Sequence, residues 1–124
     1  MPGTITREEL KAKLDRGEKF YLVEALPLHN YISGHLPGAI NLPLEELAER
    51  APLRLPDKDA EVIVYSESET CQLSGMVAEE LEKMGYRNVR DYTGGKADWV
   101  DSGNELEAGY PEAPEQPVPG ASGP

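Results

Sequence analysis

The sequence predicts a single α/β domain, with a mostly parallel central sheet of four to five strands and helices on both faces. Three observations carry that prediction. Apolar strand-like runs alternate along the chain with segments whose apolar residues recur every three or four positions. The run "AEVIVYS" at 60–66 has no polar alternation, as expected of a central strand covered on both faces. With 124 residues, the chain is long enough for one core that buries roughly two thirds of its surface. Strands separated by helices pair in parallel, because each helix carries the chain back across the sheet.

The elements follow in order. "TREE" is a capping box, Thr6 with Glu9, opening a helix that buries Leu10 and Leu14 and stops near Gly17. "KFYLVEAL" is a first buried strand around Phe20, Leu22 and Val23. "HNYISGHLPGAINLP" gives a short amphipathic helix carrying His29 and Tyr31, a turn marked by Gly and Pro, and a brief strand from Ala39 to Leu42. "PLEELAER" is a helix started by Pro43, with Leu44 and Leu47 inward. After the central strand, Leu73, Met76, Val77, Leu81 and Met84 mark one apolar helix face that ends before Gly85. "YRNVRDYTGG" supplies a last strand, and "KADWVDSG" a closing helix with Trp99 in the core. Arg87 and Arg90 read as solvated charges, with a place on the rim of a pocket as the alternative for either.

Residues 1–103 form the body. Residues 104–124, with five of the eleven prolines, read as an extended, disordered Pro/Glu-rich tail. Net charge is −11, a surface that repels nucleic acid and anionic lipid. The single cysteine, Cys71, has no partner for an internal disulfide, and neither His29 nor His35 lies at zinc-ligand spacing from it. No apolar run approaches the roughly 18 residues of a membrane span, and "MPGTITREEL" has no signal-peptide core. The expectation is a cytoplasmic, monomeric protein without metal or cofactor.

In parallel α/β sheets ligands gather at the carboxyl ends of the strands, which places "SESETC", residues 66–71, at the candidate site. Backbone N–H groups of such a loop and the positive end of the helix beginning around Gln72 make an anion-binding cradle from Ser66, Glu67, Ser68, Glu69, Thr70 and Gln72. That field lowers the pKa of Cys71, while Glu67 and Glu69 raise it and repel anionic substrates. A phosphatase would need a thiolate at the loop's start and an arginine at its end, and the chain has neither. No Gly-x-Gly-x-x-Gly follows a strand, which excludes the usual dinucleotide site.

The order "YISGHLPGAINLP", "VIVYS", the loop, "LEKMGYRNV" and "YTGGKADWVDSG" resembles the single-domain rhodanese-like (sulfurtransferase) family over roughly residues 4–104. The resemblance implies a rhodanese-like sheet, and an activity in which a loop cysteine takes a sulfane sulfur as a persulfide and hands it to a thiol or protein acceptor. The family's nucleophile position is Ser66 here. A variant with a Cys-x4-Cys loop matches Cys71 and Ser74. The loop arginine is absent, and the Asp-x-Arg ending the first strand is replaced by Glu24, Ala25 and Leu26.

A serine cannot carry sulfane sulfur, so Cys71 is the candidate sulfur carrier, with weak or absent activity toward small anionic donors. Two alternatives stand beside that reading. One is a catalytically silent rhodanese-like module that binds a partner or has a regulatory role. The other is an active sulfurtransferase in which a native cysteine was replaced by Ser66. His35 is expected to tie its turn to the sheet rather than act as a base.

Overall fold

The computed structural model describes residues 2–110. Five strands form one parallel sheet: β1 (Gly3–Thr4), β2 (Tyr21–Glu24), β3 (Ile40–Asn41), β4 (Glu61–Tyr65) and β5 (Asn88–Tyr92), in spatial order β1-β5-β4-β2-β3. Central β4 lies between β2 and β5, pairing Glu24 with Tyr65 and Tyr65 with Tyr92 at its carboxyl end.

The helices are α1 (Arg7–Asp15), α2 (Leu28–Ser33), α3 (Leu47–Arg54), α4 (Leu73–Lys83) and α5 (Gly95–Asp101), with one 3₁₀ turn at Leu44–Glu46. The period-2 alternation of β4 sorts the core into two layers. Val62 and Val64 pack with Leu47, Ala51, Val77, Ala78 and Leu81 of α3 and α4. Ile63 and Tyr65 pack on the other face with Leu10, Tyr31 and Trp99 of α1, α2 and α5. Each fully buried Val, Leu or Ile contributes about 1.5–3 kcal/mol.

The capping box closes as the sequence indicates: Thr6 Oγ1 accepts from Glu9 N–H at 3.1 Å and Thr6 N–H donates to Glu9 Oε1 at 3.2 Å. Five details differ from the sequence expectations. The edge strand β1 has too little apolar content to be read from sequence, and Arg90 holds it in place. Its guanidinium donates to the Thr4 carbonyl and pairs with Glu61, so it is not a free surface charge. Met76 is 47% exposed, because α4 turns Val77, Ala78 and Leu81 inward instead. Helix α3 runs on past Arg50 through Pro52 to Arg54.

The fourth concerns residues 104–110, expected to begin the tail. They fold back along the body, where His35 and Glu107 exchange backbone bonds at 2.8 Å, the Trp99 indole donates to the Glu105 carbonyl at 3.1 Å, and Leu106 packs against the core. The rest of the expected tail, 111–124, lies outside the described residues. The expectation that His35 ties its turn to the sheet is not met; its contacts run to α2 and to the 104–110 segment. The residue is buried, its Nδ1 is 2.8 Å from the Tyr31 carbonyl, and its ring stacks on Tyr31 at 3.9 Å. Among the described residues no helix is long and apolar enough to cross a membrane.

Candidate active site

Ser66 is the first residue after β4, and the chain from there to Gln72 forms an irregular loop leading into α4. The start of α5 holds this loop in place. Lys96 N–H donates to the Ser66 carbonyl at 3.0 Å and Ala97 N–H to the Glu67 carbonyl at 2.9 Å. That approach requires Gly95. Its φ is +66°, and a Cβ there would lie 2.5 Å from the Ser66 carbonyl oxygen and 2.9 Å from backbone atoms of Glu67 and Ser68. Within the loop, Cys71 N–H donates to the Ser68 carbonyl at 3.0 Å, and the Ser68 and Thr70 hydroxyls pair at 3.1 Å.

Cys71 is partly exposed, two residues before Leu73 opens α4. Burial raises its thiol pKa. The Ser66 hydroxyl and the N–H groups of Leu73 and Glu67 favour the thiolate and outweigh burial, while the Glu67 carboxylate opposes them. The net effect holds the thiol below its ordinary value. Ser66 itself is 1% exposed, and its Oγ has no partner of good hydrogen-bond geometry in the resting loop. A buried hydroxyl without a partner is costly to maintain, and its remaining influence falls on the neighbouring sulfur.

Cys71 opens onto a pocket of about 320 Å³, whose wall also includes Glu69, Gln72, Ser74, Met76, Glu79, Asp91 and Thr93. Of the residues singled out from sequence, Ser66 and Cys71 come together at the thiol, and Glu69 and Gln72 line the pocket beside it. Glu67 meets the thiol through its backbone N–H, its side chain being exposed. Ser68 and Thr70 bond to one another rather than to the thiol.

Sequence reasoning missed Asp91 and Glu79. Asp91 shares the α4 face of β5 with buried Val89, so strand alternation could have found it. Burial raises its carboxyl pKa, Ser74 counteracts this in part, and Oδ1 has no hydrogen-bond partner.

A second missed feature lies beneath the loop. Glu24 is fully buried; it accepts from Tyr65 Oη at 2.6 Å, and Lys96 Nζ lies 3.2 Å from its other oxygen. Lys96 Nζ also donates to the Asn30 carbonyl at 2.9 Å. Burial pushes Glu24 up, against the opposing pull of Tyr65, Lys96 and His35. Lys96 therefore holds Ser66 through its backbone and Glu24 through its side chain.

The family model for the rhodanese-like domain matches residues 6–102. An HTH-type transcriptional regulator of Mycobacterium tuberculosis is 33% identical over 107 residues, 86% of this chain and 46% of that protein. The thiosulfate sulfurtransferase PspE of Escherichia coli is 41% identical over 64 residues, 52% of this chain and 60% of that protein. The crystal structure of a thiosulfate sulfurtransferase from Pseudomonas aeruginosa superposes with a TM-score of 0.78 at 27% identity, covering 86% of this chain and 20% of that one. The chain thus spans about half the length of these two curated relatives.

Proposed function

We propose, from the premise that this chain belongs to the rhodanese-like domain family, that it carries sulfane sulfur on Cys71, within the cradle formed by residues 66–72. The observation that supports this most is the thiol itself. It sits at the mouth of a pocket and is held below its ordinary pKa by the buried Ser66 hydroxyl and two backbone N–H groups.

The attacking form in sulfur transfer is the thiolate. A donor persulfide R–S–SH is attacked by the Cys71 thiolate at its outer sulfur; a new S–S bond forms, the donor's own S–S bond breaks, its electron pair departs on R–S⁻, and Cys71 becomes a persulfide. An acceptor thiolate then attacks that outer sulfur, forming its own persulfide and returning Cys71 as thiolate. Ser66 and the N–H groups stabilise the sulfur anion at both ends of the cycle. Glu67 and Glu69 disfavour thiosulfate-like dianions, so activity with them is weak and the donor is a persulfide. The setting is the cytoplasm and the protein acts as a monomer.

Incubation with a persulfide donor, followed by intact-mass measurement, tests this. One added sulfur is expected on the protein and none on its Cys71→Ala variant. No adduct with any of several donors would remove the reading.

A second reading has its own support: the family's nucleophile position holds Ser66, and one relative is a transcriptional regulator. There the domain is a catalytically silent binding or regulatory module. Equal partner binding by the protein and Cys71→Ala would favour it. If Ser66 replaced a native cysteine, Ser66→Cys restores strong sulfur transfer.

A further inference from the structure

We infer that the pocket beside Cys71 selects a cationic thiol, one carrying an ammonium or guanidinium group close to its sulfur, as the species that exchanges sulfur with Cys71. The inference rests on the sulfur-carrier reading and names the substrate class of that site.

Three carboxyl groups, Glu69, Glu79 and Asp91, line the pocket together with the thiol, and no Lys, Arg or His is among the lining residues. Glu69 and Glu79 are exposed at its rim. Asp91 lies deeper, with Oδ1 buried and without a hydrogen-bond partner, so its carboxyl adds acidic character to the wall behind the two rim glutamates. The site is more than an acidic patch around a cysteine. Ser66, 1% exposed, favours the Cys71 thiolate through its hydroxyl without itself lining the pocket, while Cys71 lines the pocket together with the acids. Serine and threonine hydroxyls at 74 and 93 add neutral polar contacts. A volume of about 320 Å³ accommodates a small aminothiol or a single cysteine side chain beside a basic one.

Clefts lined by one sign of charge raise the local concentration of the opposite sign and exclude their own. The transfer step in this pocket balances without an oxidant or reductant. The thiolate of ⁺H₃N–R–S⁻ attacks the outer sulfur of Cys71–S–SH. A new S–S bond forms, the Cys71 S–S bond breaks, its electron pair returns to Cys71 as thiolate, and the proton stays on the transferred sulfur. The ammonium remains charged throughout and faces the carboxylates.

The test reads the selectivity at the thiol independently of sulfur loading. The protein is reacted with the cationic 2-aminoethyl and the anionic 2-sulfonatoethyl methanethiosulfonate, each forming a mixed disulfide on Cys71 with release of methanesulfinate. Rates are normalised to those of free 2-mercaptoethanol. The expected ratio favours the cation by at least about tenfold, shrinks as salt is added, and falls toward unity in Glu69→Gln/Glu79→Gln. Asp91→Asn lowers it further where that variant folds, and the two rim substitutions decide the matter if it does not. In a second arm, the persulfidated protein is offered cysteamine, an Arg-Cys-Arg peptide and 3-mercaptopropionate. Transfer to either or both of the first two in preference to the third supports the inference and distinguishes a small aminothiol from a basic peptide. A normalised ratio at or below unity overturns the inference while leaving Cys71 a sulfur carrier. Failure to load any sulfur on Cys71 overturns the sulfur-carrier reading and this inference with it, even if the reagent ratio favours the cation.

Discussion

Replacing Gly95 by alanine perturbs the contact that positions the whole loop. Two costs can be worked from the structure. A left-handed backbone with a Cβ costs about 1–2 kcal/mol. The new methyl group would also sit 2.5 Å from the Ser66 carbonyl oxygen and 2.9 Å from backbone atoms of Glu67 and Ser68, none of which can swing aside as a side-chain tip would. Overpacking of this kind costs about 1–3 kcal/mol, so a total loss of about 2–5 kcal/mol is expected. Gly17 provides the control: its φ is +69°, and nothing lies within 4 Å of its missing Cβ. Gly17→Ala should therefore show the backbone cost alone. Urea unfolding of the two variants separates the terms, and alkylation of Cys71 against pH shows whether the loop has moved. Gly95→Ala should also raise the thiol's titration midpoint, because the Ser66 and Glu67 contacts to the thiolate shift with the loop, whereas Gly17→Ala should leave it in place. Equal destabilisation by both variants, with unchanged alkylation, would refute the claim that the start of α5 holds the 66–72 loop.

Further outcomes follow from neighbouring contacts. Ser66→Ala removes a donor to the thiolate, so the Cys71 pKa rises and its alkylation at neutral pH slows several-fold, read with a neutral reagent such as iodoacetamide. Lys96→Met leaves Glu24 buried without its cation and should cost about 3–5 kcal/mol in urea unfolding, most of it recovered in the double variant Glu24→Gln/Lys96→Met. Asp91 supplies a pH test. Its folded pKa is raised above the ordinary 3.8, so between the two values the native state holds more protons than the unfolded chain. That contribution is fully present below the unfolded pKa and is lost as pH rises through the folded one. Wild-type stability relative to Asp91→Asn should accordingly decline as pH rises from about 4, and a rise across that window would contradict the assignment.

Much of the fold could be read from the chain because its signals are local. The Thr6–Glu9 cap, the unbroken apolar run of β4 and the three-and-four spacing of Val77 and Leu81 each depend only on near neighbours in sequence. Strand β1 was not legible, since its two residues, Gly3 and Thr4, are held by β5 pairing and by Arg90 from far along the chain. The 104–110 segment, polar by composition, is fixed through backbone bonds to His35 and a buried foothold for Leu106. At the site, the loop and its cysteine were evident because a strand, a polar loop and a helix follow one another directly. The Glu24–Lys96 pair and the Asp91 wall were not, because burial of a charged residue is decided by tertiary neighbours, and only the alternation of β5 hinted at Asp91.

The central claim is that this fold turns Cys71 into a reactive thiolate although the residue opening the loop is Ser66. The rate of Cys71 alkylation by iodoacetamide, followed against pH in the intact chain, tests it most directly. A titration midpoint below the roughly 8.5 of free cysteine, moving upward in Ser66→Ala, is the predicted result. A midpoint at or above that value, indifferent to Ser66, would contradict it.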